Sequence, residues 1–266
     1  MAGNNYYKQR SLPYEPSQKA PFKLSRSKIE LFMQCPRCFW LDVRLKITRP
    51  GSPPFNINKT IDELFKKEFD VYRAKQEPHP LMTDNQIKAV PYQHAELNNW
   101  RHNFTGITTV HQPTNLHIFG AVDDIWVNDK GELIVVDYKA TAKDKPVTEL
   151  GPEGTWHDMY RRQMEIYQWL LKQNGFKVSN TGYFVYATGR QDVKGFNNKV
   201  EFHTYVFPHH GKSDWVDKTI QEMKDCMDSD EMPLIGMAAM GGPCEHCTYA
   251  RQRTELTLKA LQAKKR

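Results

Sequence analysis

The period of apolar and polar positions changes several times along the chain, and each change marks an element. Residues 121–127 and 132–138 are two apolar-rich runs joined by Asn128-Asp129-Lys130-Gly131. That pattern predicts a β-hairpin whose turn uses Gly131 at a positive-φ position. The second run contains Leu133-Ile134-Val135-Val136 and reads as a buried strand. Upstream, Ile61, Leu64, Phe65, Phe69 and Tyr72 recur at helical spacing and predict an amphipathic helix over residues 58–74. A shorter helix opens with Ser25 or Ser27 as N-cap and carries Ile29, Leu31, Phe32 and Met33 on its apolar side. Further helices are expected over residues 157–173, which Gly175 ends, and over residues 213–228. Strands are expected at residues 107–111, 116–119, 181–188 and 200–207. Residues 75–105, interrupted by Pro78, Pro80 and Pro91, read as irregular, and residues 49–54 as a rigid extended connector.

Composition narrows the class. The chain has 266 residues, 39% hydrophobic and 26% charged, which suits one large soluble globular domain with appendages. No run approaches the roughly 20 apolar residues of a membrane span. The start lacks the apolar core of a signal peptide, so a cytoplasmic location is expected. The net charge of +6 is compatible with a nucleic-acid partner. The organisation expected is an N-terminal arm over residues 1–22, flexible or loosely docked, a main domain over residues 23–250, and a basic helix over residues 251–266.

The chemistry concentrates on the hairpin. Asp123 follows Ala121-Val122 and Asp137 follows the buried run, while Lys139 lies two residues further on and shares a face with Asp137. A carboxylate at the end of a buried strand is costly without a compensating cation. Two such carboxylates suit Mg²⁺ or Mn²⁺, which take oxygen ligands. Asp124 alternates to the opposite face and is not expected to be a ligand. Gln163 and Tyr167, four apart on the later helix, neighbour each other.

Gly120-Ala121-Val122-Asp123, Asp137-Tyr138-Lys139 and Gln163-x-x-x-Tyr167, preceded by LSRSKIELFMQCPRCFW, resemble the RecB-like branch of the PD-(D/E)XK nucleases. That branch is marked by an S-x-S…F-x-x-CP-x-x-F opening, then GxhD, hhhDYK and QxxxY, and the likeness spans roughly residues 24–250. It implies an α/β, restriction-endonuclease-like fold: a mixed central β-sheet flanked by helices, the metal site at one sheet edge, and a four-cysteine metal-bound lobe covering it. It also implies a divalent-metal-dependent deoxyribonuclease with little sequence preference. Asp123 and Asp137 would ligate the metal, helped by the Tyr138 carbonyl. Lys139 would position or deprotonate a water, its pKa depressed by a nearby cation and partial burial. Gln163 and Tyr167 would orient these groups.

Asp62 is the candidate third ligand, although the Gly and His of the family's context at this helix are absent, with Glu63 as fallback. An ordinary acid at a helix N-terminus is the plainer alternative. Lys143, Lys145, Arg161 and Arg162 are candidate phosphate contacts or solvated charges. The implied partner is single- or double-stranded DNA, with protein partners in a repair or CRISPR-adaptation complex. A catalytically silent DNA-binding module of the same fold and an RNA-processing nuclease are the competing readings.

Four of the five cysteines form two CxxC pairs, Cys35/Cys38 and Cys244/Cys247. In a cytosolic protein such pairs indicate metal binding before disulfides. Resembling AddB-type and CRISPR-associated nucleases hold an iron–sulfur cluster with one upstream cysteine and three near the C-terminus. Here the split is two and two, which leaves a [4Fe–4S] cluster and a tetrahedral Zn²⁺ both open.

Overall fold

The computed structural model describes residues 12–51, 56–238 and 241–264. The first eleven residues of the expected N-terminal arm lie outside the described residues. Within the arm, the Tyr14 ring is buried and its hydroxyl donates to Asp228 at 2.7 Å, so this part of the segment packs against the body.

The architecture is α/β. The chain opens with β1 (Phe22–Ser25), then α1 (Arg26–Gln34), α2 (Pro36–Leu45) and the long α3 (Asn56–Lys75). The stretch expected to be irregular holds α4 (Pro80–Asp84), β2 (Ala89–Pro91) and α5 (Leu97–Trp100). These elements are too short to show a period. Tertiary contacts fix them: His79 caps α4, bonds Glu68 at 2.9 Å and stacks on Phe69 of α3 at 4.1 Å. Then come β3 (Ile107–His111), β4 (Leu116–Gly120), β5 (Asp124–Asn128), β6 (Leu133–Ala142) and α6 (Asp158–Gln173). The chain finishes with β7 (Thr181–Gly189), β8 (Phe202–His210), α7 (Trp215–Asp228) and α8 (Glu245–Ala263). Gly131 of the β5–β6 turn has φ +71, as the hairpin requires. The basic C-terminal helix begins six residues earlier than expected, directly after Cys244, and so includes Cys247.

The mixed sheet is divided in two. One part runs β1-β4-β3 and the other β2-β5-β6-β7-β8. β1 pairs parallel with β4 and β6 pairs parallel with β7, while the other pairings are antiparallel. Residues 121–123, expected inside the first hairpin strand, form the crossing between the two sheets, and β5 starts only at Asp124. β6 is the middle strand of its sheet, so the candidate metal site is not at a sheet edge as expected.

Both faces of β6 are covered, which explains its unbroken apolar run. Ile134, Val136 and Tyr138 pack with Phe69 of α3 and Trp126. Leu133 and Val135 join the main core with Met164, Ile166 and Leu170 of α6. The two-residue alternation therefore sends Tyr138 toward α3, and Asp137 and Lys139 toward α6.

On the α3 side lies a fully buried carboxylate, Asp124. It accepts from Arg73 at 2.5 Å, Arg101 at 2.8 Å, the Tyr138 hydroxyl at 2.6 Å and the Ile125 amide at 2.7 Å. Asp70 neutralises the other side of both arginines. The placement of Asp124 away from Asp123 agrees with strand alternation. Removing one member of a buried pair leaves uncompensated charge. Asp124→Asn is expected to lower stability by about 3–5 kcal/mol, read as a shift in urea unfolding midpoint.

Candidate active site

The residues singled out in the sequence converge where β6 emerges between α3 and α6. A cavity of about 380 Å³ is lined there by Asp62, Phe65, Asp123, Tyr138, Lys139, Ala140, Tyr160 and Gln163, together with Arg26, Asn58 and Lys59. None of the four paired cysteines lines it. The sulfurs of the expected cysteine lobe therefore do not reach the cavity wall.

Each side chain is held by a specific bond. Asp123 reaches back over β6 and accepts the Tyr138 amide at 3.0 Å, just past the last β5–β6 register pair, Asp124 with Val136. Asp137 is fully buried. Its Oδ1 accepts from Gln163 Nε2 at 2.9 Å, and its Oδ2 forms an ion pair with Lys139 Nζ while receiving no directed hydrogen bond. Gln163 Nε2 also donates to the Tyr167 hydroxyl at 3.3 Å. Lys139 Nζ sits 4.5 Å from the centroid of the Tyr160 ring.

Asp62 joins this group although the family's helix context is missing. Its Oδ2 accepts from Lys66 at 2.7 Å, and its buried Oδ1 has no hydrogen-bond partner among the described residues. Glu63, the fallback, is more exposed and only pairs with Lys66. Lys66 and Tyr160 were not anticipated. Lys66, four residues after Asp62, carried the only signal, an ordinary helix pair at i, i+4.

Gly120 is explained by a close approach. A Cβ there would stand 2.6 Å from Tyr167 Cε1 and 3.3 Å from Arg26 Cβ. Only a glycine lets the Tyr167 ring lie against the end of β4 and support Gln163.

The electrostatics are those of an undercompensated acidic site. Burial, then the Asp137 carboxylate, push Asp123 up to about 7. Burial, then the Asp123 carboxylate, push Asp62 up to about 6. The pKa of Lys139 is not depressed as expected. Burial works to lower it, but the carboxylates of Asp137 and Asp123 prevail and hold the ammonium above its ordinary range. Clustered carboxylates, two of them raised by an acidic neighbour and one with an unpartnered buried oxygen, fit a hard divalent cation, the donor set that Mg²⁺ and Mn²⁺ take. The flanking arginines have other tasks. Arg162 forks onto Glu30 at 2.8 and 2.7 Å, and Arg161 pairs with Asp158 at 2.6 Å.

A model of the PD-(D/E)XK nuclease superfamily matches residues 23–252. The chain belongs to this superfamily. No curated protein matches it. A solved structure described as "Crystal structure of SSO0001" is 15% identical to this PD-(D/E)XK protein, with 77% of each chain covered and a TM-score of 0.33. Members of this superfamily are generally nucleases, and these nucleases use divalent metals.

The four paired cysteines form a second site at α1, α2 and the start of α8. All four Sγ atoms lie within 4.8 Å of one another, a grouping able to hold a metal ion. None is in a disulfide. Cys226, on α7 and apart from them, is half-buried, and burial raises its thiol to about 11.

Gly120→Ala is expected to cost about 1–3 kcal/mol, since overpacking against a buried ring forces displacement. The thermal unfolding midpoint should fall. Cleavage activity should drop with it even at temperatures where the variant stays folded, because Tyr167 no longer supports Gln163.

Proposed function

We propose that the protein is a divalent-metal-dependent deoxyribonuclease of the RecB-like branch, hydrolysing phosphodiester bonds with little sequence preference. The observation that carries this reading is the convergence of Asp62, Asp123, Lys139 and Gln163 on one cavity, with the buried Asp137 directly behind it, bonded to Gln163 and paired with Lys139. Asp62, Asp123, Asp137 and the Tyr138 carbonyl are the groups that would hold Mg²⁺ or Mn²⁺. When bound there, such a cation supplies Lewis acidity that acidifies a water and offsets charge on the scissile phosphate.

The chain's own groups do the rest. Lys139, kept protonated by its carboxylate neighbours, is a fixed positive charge at the cavity wall, suited to orienting a water or neutralising a phosphate oxygen. Gln163 fixes the rotation of the Asp137 carboxylate through Oδ1, which leaves Oδ2 turned to Lys139. Tyr167 accepts the second Gln163 hydrogen bond and sets the reach of that side chain. Arg26 and Lys59 in the cavity lining favour a polyanion, and contact with backbone phosphates carries no sequence information, which suits low sequence preference.

The test is incubation of the purified chain with labelled single- and double-stranded DNA, and with RNA, in Mg²⁺, Mn²⁺ or EDTA. DNA cleavage that requires the metal is expected, with no detectable turnover by Asp137→Asn or Lys139→Ala. Gln163→Ala is expected to lose about 10–100-fold, the usual cost of losing a group that orients a metal ligand. Metal-independent binding without turnover would leave a silent DNA-binding module, and cleavage of RNA alone would leave an RNA-processing nuclease. Metal binding has its own readout. Mn²⁺ should raise the thermal unfolding midpoint of the wild-type chain, since binding to the folded state alone stabilises it. The rise should be lost in Asp123→Asn.

A further inference from the structure

The resemblance left two metals open for the cysteines, and the sulfur geometry separates them. Cys35 Sγ lies 3.7 Å from Cys247 Sγ, and Cys38 Sγ lies 3.7 Å from Cys244 Sγ and 3.5 Å from Cys247 Sγ. With all four inside 4.8 Å, the sulfurs form one compact group. A Zn–S bond of about 2.3 Å sets the edge of a tetrahedral thiolate site at about 3.8 Å. A [4Fe–4S] cubane carries each cysteine outward from a different iron, so its thiolates must stand a full cluster apart. No room for that exists among these sulfurs.

The backbone around them is built for thiolates. The Gly236 amide donates to Cys35 Sγ at 3.2 Å and the Cys38 amide donates to it at 3.5 Å. Gly236 comes this close because it has no side chain: a Cβ would meet the Gln34 carbonyl oxygen at 2.2 Å and Cys35 Cα at 2.5 Å. Its own carbonyl then accepts the Cys244 amide at 2.8 Å, which fixes the second pair against the first.

Four thiolates around one Zn²⁺ leave a net charge of −2 in a partly buried place. One cation answers it. Arg49 donates from one terminal nitrogen to Cys244 Sγ at 3.4 Å and from the other to Gln34 Oε1 at 2.8 Å. Gln34 in turn donates to Glu30 at 3.0 Å, and Glu30 holds Arg162, the residue before Gln163. The guanidinium is thus aimed at the sulfurs by a chain of bonds that ends at α6.

We infer that Cys35, Cys38, Cys244 and Cys247 hold a single tetrahedral Zn²⁺ rather than an iron–sulfur cluster, with Arg49 as the positioning residue that balances its thiolate charge. The first test is metal analysis and absorbance of the full chain purified anaerobically. One zinc per chain is expected, with no iron and no cluster band at about 400 nm. The metal-stripped chain, titrated with Zn²⁺ against a chromophoric chelator, should take up one equivalent tightly. Cys38→Ser should lose it, whereas Asp137→Asn should keep it, so failure here is distinct from failure of the nuclease reading. Arg49→Met should yield zinc to the chelator about 10–100-fold more readily, the scale of outer-sphere metal-site variants. Arg49→Lys should recover part of that retention. Iron in the purified chain, or a stripped chain that binds no Zn²⁺, overturns the zinc site. Retention in Arg49→Met equal to wild type overturns the role of Arg49.

Discussion

β6 is buried on both faces yet must carry charge, and the rest of the molecule is arranged around that conflict. Burying an uncompensated carboxylate is prohibitive, so every acid near this strand needs a cation or a raised pKa. The two consecutive acids Asp123 and Asp124 resolve it in opposite ways. Asp124, on the α3 side, meets two guanidiniums, a phenol and an amide, and is satisfied by the protein alone. Asp123, on the α6 side, shares its surroundings with Asp62 and Asp137, and Lys66 and Lys139 do not offset all three. The first arrangement is complete and therefore inert. The second is short of positive charge, which is what a cation site needs.

The helices divide this labour. α3 contributes Phe65 and Phe69 to the stack against Tyr138 and Trp126, Arg73 to the Asp124 network, and Asp62 to the cavity. One amphipathic helix therefore sets both the inert and the reactive side of β6. Tyr138 links them, since its hydroxyl donates to Asp124 and its amide donates to Asp123. On the other side, α6 reaches Asp137 through Gln163, and the Gly120 contact with Tyr167 sets how near α6 approaches.

How much of this was legible follows from range and period. The β5–β6 hairpin, α3 and α6 are long and strongly patterned, and the sequence places them within a few residues. Two-residue spacing put Asp137 and Lys139 on one face and four-residue spacing put Gln163 beside Tyr167, but it was the family resemblance that joined these pairs to Asp123. Asp62 was half legible: its helix was clear, but the approach of that helix to β6 is a tertiary fact. The parallel pairing of β1 with β4 joins segments some ninety residues apart and leaves no local trace. The partners of Asp124 come from α3 and the turn after α5, so strand alternation could exclude it as a ligand without revealing Arg73 or Arg101. The expected depression of the Lys139 pKa failed because it counted a cation and burial but not two carboxylates beside the amine.

The cysteine site solves a different problem, that of the chain ends. α8 has no buried residue, and Tyr249, Leu256, Leu258 and Leu261 along it are exposed. Apolar burial therefore does not attach it. The small cluster at its start consists of the four cysteines with Leu31 alongside, far too little area to hold two distant segments together through the hydrophobic effect. Thiolates at contact distance also repel once ionised, so the cluster is unfavourable without a central cation. With one, metal–ligand free energy becomes folding free energy for this corner of the molecule. A chain of hydrogen bonds from Cys244 reaches α6 through Arg49, Gln34, Glu30 and Arg162. A metal held by these cysteines would thus help decide where α6, and with it Gln163, comes to rest.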